Sequence, residues 1–418
     1  MKVSLRGLFV VLVGMSAALL PAVPALAAPA APPVCADPGV ALTVEEQRLS
    51  QPQPGEILAR SGFDRFAAAF TPALCALPNR AVAEVAVAAQ GRVLWEAAVA
   101  RARGALPPGT LPVTDDRPLY WARLQLTRAL RQWTPSFGLS AVERTRLLAV
   151  LERSSRGQDS IRYPSGVRRV LVSGFDPFQL DADIRRSNPS GASALALDGA
   201  LVQTAAGPAR IETAMFPVLW DPFAQGVVER TFLPWLDRVD AFTTVSQGRV
   251  GRFDVERHNG RWRGGFPDNE LVSSTGVIPI PPSVPTVTPP PEFVPTTLPY
   301  QEIVATPTGP FPVFDNTSVV EIPAGQTEPV TRPAGPTPGS TARAGGGGNY
   351  LSNEIAYRTT LLRDALGLDI PGGHLHTPVL QFAEGNTTEL TDPVFEANQR
   401  AIVDQVRSVL VVVAGTTT

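Results

Sequence analysis

The segments that most constrain this chain are "RRVLVSGFDPF" and "VDAFTTVSQG", two short apolar runs that each stop at a glycine turn. Runs of this length, unbroken by polar alternation, predict strands buried on both faces, the first over Arg169 to Ser173 and the second over Val239 to Gly248. Between and after them lie helical stretches such as "PFAQGVVERTFLPWL" and the amphipathic "DPVFEANQRAIVDQVRSVLVVV". Strands alternating with helices predict an α/β domain over residues 166–412: three layers, α/β/α, around a mainly parallel twisted sheet. In that architecture sites gather at the carboxyl ends of the strands.

Ahead of the α/β pattern, residues 36–160 read as a small helical region. In "TDDRPLYWARLQLTRALRQW", Leu119, Ala122, Leu126, Ala129, Leu130 and Trp133 recur at helical spacing, with Thr114 as the expected cap and Pro118 in the first turn. In "SAVERTRLLAVLER", Ser140 and Glu143 form a capping box. Two Pro-rich segments, 279–299 and 323–348, are expected to be long extended surface loops. The second runs into "GGGGNYLSNEIAY", where backbone without side chains meets a helix start, an arrangement that presents N–H groups to an anion.

Residues 1–27 read as a secretory signal, with Lys2 and Arg6 ahead of an apolar stretch and a small-residue "PALA" cleavage site. The expectation is an extracellular protein with no membrane span in the mature chain, because the apolar run is shorter than the roughly 20 residues a span needs. The two cysteines, Cys35 and Cys75, are expected to pair as a disulfide in such a compartment, leaving no thiol for chemistry. A net charge of -2 with scattered arginines excludes an electrostatic case for nucleic acid as partner.

Several pieces, taken in order, resemble the pyroglutamyl peptidase I (pyrrolidone-carboxylate peptidase) family of cysteine peptidases. "VLVSGFDPF" resembles its first strand and Gly-Phe-Glu-Pro-Phe turn, and "SNP" at Ser187 to Pro189 its Asn-Pro. "FPV" at Phe216 to Val218 resembles Leu-Pro-Val, and "FPDN" at Phe266 to Asn269 matches Ile-Pro-Asp-Asn. "QGRVGRFDVER" resembles the loop leading to the family's Glu-Arg, one residue longer. "TTLPYQEIV", Thr296 to Val304, resembles Ser-Thr-Leu-Pro and its helix; "GNYLSNEIAY" resembles Gly-x-Tyr-x-Cys-Asn-x-x-x-Tyr; "GGHLHTP" resembles Gly-Phe-Ile-His-Val-Pro. Together they span residues 169–412.

Carried over position by position, the resemblance implies a catalytic triad of Glu256, Ser352 and His376, with serine where the family has cysteine. It implies that Phe175 and Phe178 line the pocket for the pyrrolidone ring. The family's arginine before Ile-Pro-Asp-Asn falls near Gly265, two positions from Arg263. The implied activity is removal of N-terminal pyroglutamate, or cleavage of a related amide, with a peptide or small amide as substrate and no cofactor or metal.

A serine hydroxyl is too weak an acid to preform an ion pair with imidazole, so Ser352 needs a base during attack, a role open to His376 with Glu256 orienting it. Each residue also has a structural role open to it. Ser352 could cap the helix, Glu256 could pair with Arg257 at the surface, and Phe175 and Phe178 could be core. His376 could be a strand-end histidine bonded to backbone, or with His374 on the same strand face half of a metal pair for which further His or Cys ligands are lacking; His258 reads as exposed. The alternative to an enzyme is a catalytically inactive descendant that binds a lactam or peptide end, and a third reading places a cell-surface structural role in the helices and Pro-rich loops.

Overall fold

The computed structural model describes residues 35–416; the signal-like segment and its cleavage site lie outside the described residues. Six helices come first: α1 (Val44–Gln47), α2 (Pro52–Ser61), α3 (Asp64–Cys75), α4 (Arg80–Ala102), α5 (Arg117–Gln132) and α6 (Ala141–Ser154). Capping chemistry sets several of their starts. Thr43 and Glu46 form a capping box at α1, and Ser140 and Glu143 another at α6. At α5 the expected cap fails. Asp116, not Thr114, occupies the cap position, and the Thr114 hydroxyl donates instead to Gln399 Oε1. A disulfide joins Cys35 to Cys75, with 5.6 Å between their Cα atoms.

The rest of the chain runs β1 (Arg168–Phe175), α7 (Pro189–Leu197), β2 (Ala200–Thr204), β3 (Gly207–Phe216), α8 (Trp220–Ala224), α9 (Val227–Phe232), β4 (Ala241–Gln247) and β5 (Phe253–Glu256). Short strands β6 (His258–Gly260), β7 (Trp262–Gly264), β8 (Thr275–Val277) and β9 (Phe293–Pro295) follow, then α10 (Tyr300–Ala305), β10 (Val313–Asn316), β11 (Val319–Ile322), β12 (Val330–Arg332) and β13 (Thr341–Ala344). The chain closes with α11 (Leu351–Ala365), β14 (Gly372–Thr377) and α12 (Pro393–Gly415).

The central sheet has seven strands in the order β10-β5-β14-β4-β1-β3-β2. Its inner pairs β14 with β4, β4 with β1 and β1 with β3 are parallel, while β5 runs antiparallel to β14 and β2 antiparallel to β3. The alternation of side chains along β1 explains the layers. Val170 and Val172 point into one core with Ile402, Val406 and Val409 of α12, whereas Leu171 and Phe175 point into the other with Phe223, Phe232, Leu351 and Ile355 of α8, α9 and α11. The core of the helical region continues into Ala194 and Leu195 of α7 and Met215 of β3.

The Pro-rich segments correct the sequence-based expectation. Part of the first forms β9, which pairs with β6; the second contributes β12 and β13 to a three-stranded antiparallel sheet with β11. Buried Glu321 of β11 ties that sheet together by accepting from Arg332 and from the backbone and hydroxyl of Thr337. Proline limits such strands to edges and short pairings, which is where these lie. Among the described residues, no helix is long and apolar enough to cross a membrane.

Candidate active site

The carboxyl ends of β1, β4 and β14 open into a cleft of about 900 Å³, walled by Phe175, Phe178, Tyr350, Gly347, Ser352 and His376 among others. Its base is set by sheet register. His376 on β14 lies beside Ser246 of β4 in the parallel ladder and beside Asp254 of β5 in the antiparallel one, and His374 pairs with Glu256. Side chains two apart share a face, so Glu256 reaches His376 across the strands.

His376 Nδ1 donates to Glu256 Oε1 at 2.8 Å. Glu256 Oε2 accepts from Asn316 Nδ2 at 2.7 Å, and that amide also donates to Gly346 O at 2.9 Å. Glu256 is fully buried and His376 nearly so. With both carboxylate oxygens accepting, Nδ1 carries a proton, so the tautomer of the neutral ring compatible with this bond has its lone pair on Nε2. The surface ion pair considered for Glu256 and Arg257 does not form; Arg257 pairs with Asp315 and lies over the Tyr300 ring.

His374 is fully buried beside His376, ring centroids 4.5 Å apart and nearly perpendicular. The Thr244 hydroxyl donates to Gly373 O and so accepts from His374 Nδ1, which leaves Nε2 to accept from the Ser246 hydroxyl. Burial first, and then the neighbouring His376, push its pKa well below the ordinary histidine value. It is a neutral, hydroxyl-bound wall for His376. His258, expected at the surface, is half-buried, and burial together with Arg257 lowers its pKa.

Ser352 enters from the opposite side of the cleft. The four glycines make a tight turn in which Gly345 and Gly348 exchange backbone hydrogen bonds of 2.8 and 3.0 Å, with Gly348 at φ +89, a conformation that suits glycine. They also pass close to the histidine and its partner: a Cβ on Gly347 would sit 2.5 Å from His376 Cε1, and one on Gly346 would strike Glu256 Oε2. Helix α11 begins directly after this turn. Ser352 is its second residue and does not cap it; Tyr350 holds the cap position without a side-chain bond. The Ser352 hydroxyl donates to Gly347 O at 3.3 Å. The amides of Leu351, Ser352 and Asn353 have no acceptor within the helix, so the helix start supplies N–H groups and a positive dipole end beside the cleft.

The orientation of α11 is fixed from behind. Asn353 exchanges two hydrogen bonds with the Gly260 backbone, at 2.8 and 2.7 Å. Arg263 forms a two-bond pair with Glu354, both at 2.6 Å, so this arginine supports the helix. Tyr350 OH donates to Pro267 O, and its ring meets those of Phe178, Trp220 and Phe266. Phe175 serves both as core, packed on Phe216 and Phe223, and as cleft floor; Phe178 is a cleft wall.

Sequence reasoning missed the shell behind the cleft. Asp176, at the glutamate position of the Gly-Phe-Glu-Pro-Phe turn, is fully buried between Arg123 of α5 and Arg156, both from the helical region. Asn269 of "FPDN" donates to Pro177 O and to Glu45 Oε1 of α1, which also accepts from Tyr120 OH. Asp116 accepts from Ser187 and from the Asn188 amide at the "SNP" segment. The Thr43–Glu46 capping box is a local signal that could have marked α1; nothing local to Glu45, Arg123 or Asn316 announces its partner, because each reaches across from a distant part of the chain.

Two family models match this chain: the PA0049 N-terminal domain over residues 26–152, and the PA0049 C-terminal domain over 169–289 and 287–381. The uncharacterized protein PA0049 of Pseudomonas aeruginosa is 35% identical, with 89% of each chain covered. Among solved structures, a mutant pyrrolidone carboxyl peptidase from the hyperthermophile Pyrococcus furiosus matches at 22% identity and a TM-score of 0.39, covering 59% of this chain and 97% of that one. Pyroglutamyl peptidase I of Bacillus amyloliquefaciens matches at 20% identity and 0.38, covering 60% and 98%.

Proposed function

This chain belongs to the PA0049 family, and from that premise we propose that it is a serine-dependent hydrolase of pyroglutamyl-peptidase type, removing an N-terminal pyroglutamate or cleaving a related amide. The observation that carries the reading is the buried Glu256 holding His376 by Nδ1 at the edge of a cleft that also contains Ser352. In the reaction, Ser352 Oγ attacks the scissile carbonyl while His376 Nε2 takes its proton. Glu256 stabilises the resulting imidazolium and keeps the ring in its tautomer. The oxyanion forms against the free amides at the start of α11. His376 then returns the proton to the leaving amine, and water releases the acyl group by the same steps in reverse order. Neutral His374 adds no repulsion to the imidazolium. Phe175 and Phe178 offer a flat, uncharged lactam an apolar seat.

A second reading, a lactam- or peptide-end-binding protein without turnover, is favoured by one feature: the Ser352 hydroxyl bonds Gly347 O and not His376. Hydrolysis of a fluorogenic pyroglutamyl amide by the parent, Ser352→Ala, Ser352→Cys and His376→Ala separates the two. Activity in the parent lost in both alanine variants supports the serine hydrolase; turnover confined to Ser352→Cys supports the binding protein. We also propose that the protein is exported. The Cys35–Cys75 disulfide supports an oxidising compartment, and cell fractionation with N-terminal sequencing of the mature chain tests it.

A further inference from the structure

A second cavity, of about 280 Å³, adjoins the cleft and shares Phe178 and Gln247 with it as common walls. Gln247 pairs in register with Thr377, the residue after His376, so the two cavities meet at the carboxyl ends of β4 and β14. Its other walls include Leu380, Phe382 and three charged residues: Asp183, Arg185 and Arg186. Arg185 consumes Asp183 through two bonds, at 2.9 and 2.7 Å, and spends its remaining donors on Asn386 and Glu389 O. Arg186 is half-buried, and no carboxylate among the described residues lies within ion-pair distance of it; Asp183, held by Arg185, acts on it only through space. It donates to the uncharged Gln179 Oε1, from a residue held at φ +58, a conformation non-glycine residues seldom adopt. The cavity therefore carries a guanidinium with no directly bound carboxylate, in a frame that mixes aromatic and aliphatic walls with Ser187, Gln247, Gln381 and Asn386.

We propose that this cavity is a subsite for the residue following the scissile bond and that Arg186 selects a carboxylate there, either a free C-terminus or an acidic side chain. The assignment rests on the hydrolase reading for its placement, because His376 must face the leaving amine. A guanidinium meets a carboxylate through two parallel N–H donors, and charge-assisted bonds of this kind are about twice as strong as neutral ones. Displacing Gln179 frees those donors.

The test uses calorimetric binding to the Ser352→Ala protein together with kcat/KM of the parent. The probes are pyroglutamyl-alanine, its C-terminal amide, and a pyroglutamyl-aspartyl amide whose sole carboxylate is the side chain. Tighter binding of a carboxylate probe than of the neutral amide by roughly 10-fold or more is expected, falling to near parity in Arg186→Gln, kept in part by Arg186→Lys, and weakened by salt. Which of the two acidic probes leads identifies the source of the carboxylate. Equal binding of acidic and neutral probes, or a preference untouched by Arg186→Gln, overturns the subsite. A carboxylate preference that depends on Arg186 in a parent that hydrolyses none of the probes upholds the subsite and removes the hydrolase reading.

Discussion

His376 and Glu256 lie on neighbouring antiparallel strands and share a 2.8 Å hydrogen bond inside the protein, with Asn316 on the far carboxylate oxygen. Glu256→Gln keeps the shape and a hydrogen bond but can present an amide donor to Nδ1, turning the imidazole to the wrong tautomer. We expect kcat on a pyroglutamyl amide to fall by about 10³- to 10⁴-fold, with the thermal midpoint nearly unchanged. A folded Glu256→Gln protein retaining more than a third of parental kcat would remove Glu256 from the mechanism.

Gly347 passes so near the imidazole that its hydrogen is the largest group that fits, the space for a Cβ lying 2.5 Å from His376 Cε1. The glycine is not there for an unusual φ, since only Gly348 in this turn has one. Gly347→Ala should therefore push the ring off Glu256 and cost roughly 100-fold in kcat, the scale of a misplacement of about 1 Å. Unfolding by urea would move little. Full activity in this variant would mean that the imidazole adjusts freely and that its position is not set by the glycine turn.

The layers of the α/β part were readable because the β1 and β4 segments are short, largely uncharged runs that end in glycine turns, the mark of strands buried on both faces. Glu256, Ser352 and His376 were candidates through their flanking motifs, and the sheet register brings Glu256 and His376 into contact. The shell was not legible. Asp176 looked like a loop residue because its partners Arg123 and Arg156 come from helices that carry no mark of what they touch. The second Pro-rich segment was misread for a related reason: its composition speaks against central strands, whereas β12 and β13 are short strands of a small separate sheet.

Asp176 gives that hidden shell a measurable weight. It is fully buried with two guanidiniums, and Asn188, a cleft residue, donates to its backbone carbonyl. Asp176→Asn takes from both buried arginines their buried counter-charge and leaves only the partly exposed Glu152, 2.7 Å from Arg156 and 4.0 Å from Arg123, so the cost should fall toward the lower end of the roughly 3–5 kcal/mol seen when one partner of a buried pair is removed. Urea denaturation should show that loss as a lower midpoint. The exposed Arg146–Glu84 pair serves as the control, since breaking it should be barely detectable. A midpoint for Asp176→Asn equal to the parent's would mean that the helical region is not anchored through this turn.

Glu45, buried behind the cleft, links the helical region to pH. Burial, followed by the charge of Asp176, raises its pKa from 4.5 to about 7, against the lowering effect of its hydrogen bonds from Asn269 and Tyr120 and of the Arg156 charge. A raised folded-state value means the native protein holds this proton more tightly than the unfolded chain. The associated stability is complete below about 4.5, declines as pH rises, and is gone above about 7. Its size is on the order of 3 kcal/mol. Asp116, raised from 3.8 to about 7 mainly by burial and then by Asp115, acts in the same direction over an overlapping window. Glu45→Gln, neutral at every pH, should flatten part of the decline between pH 5 and 8 and leave the Asp116 portion. Thermal midpoints of parent and variant across that range provide the measurement. Parallel curves would mean that Glu45 is already ionised in the native protein at pH 5, with Asn269 and Tyr120 meeting the cost of burying its charge.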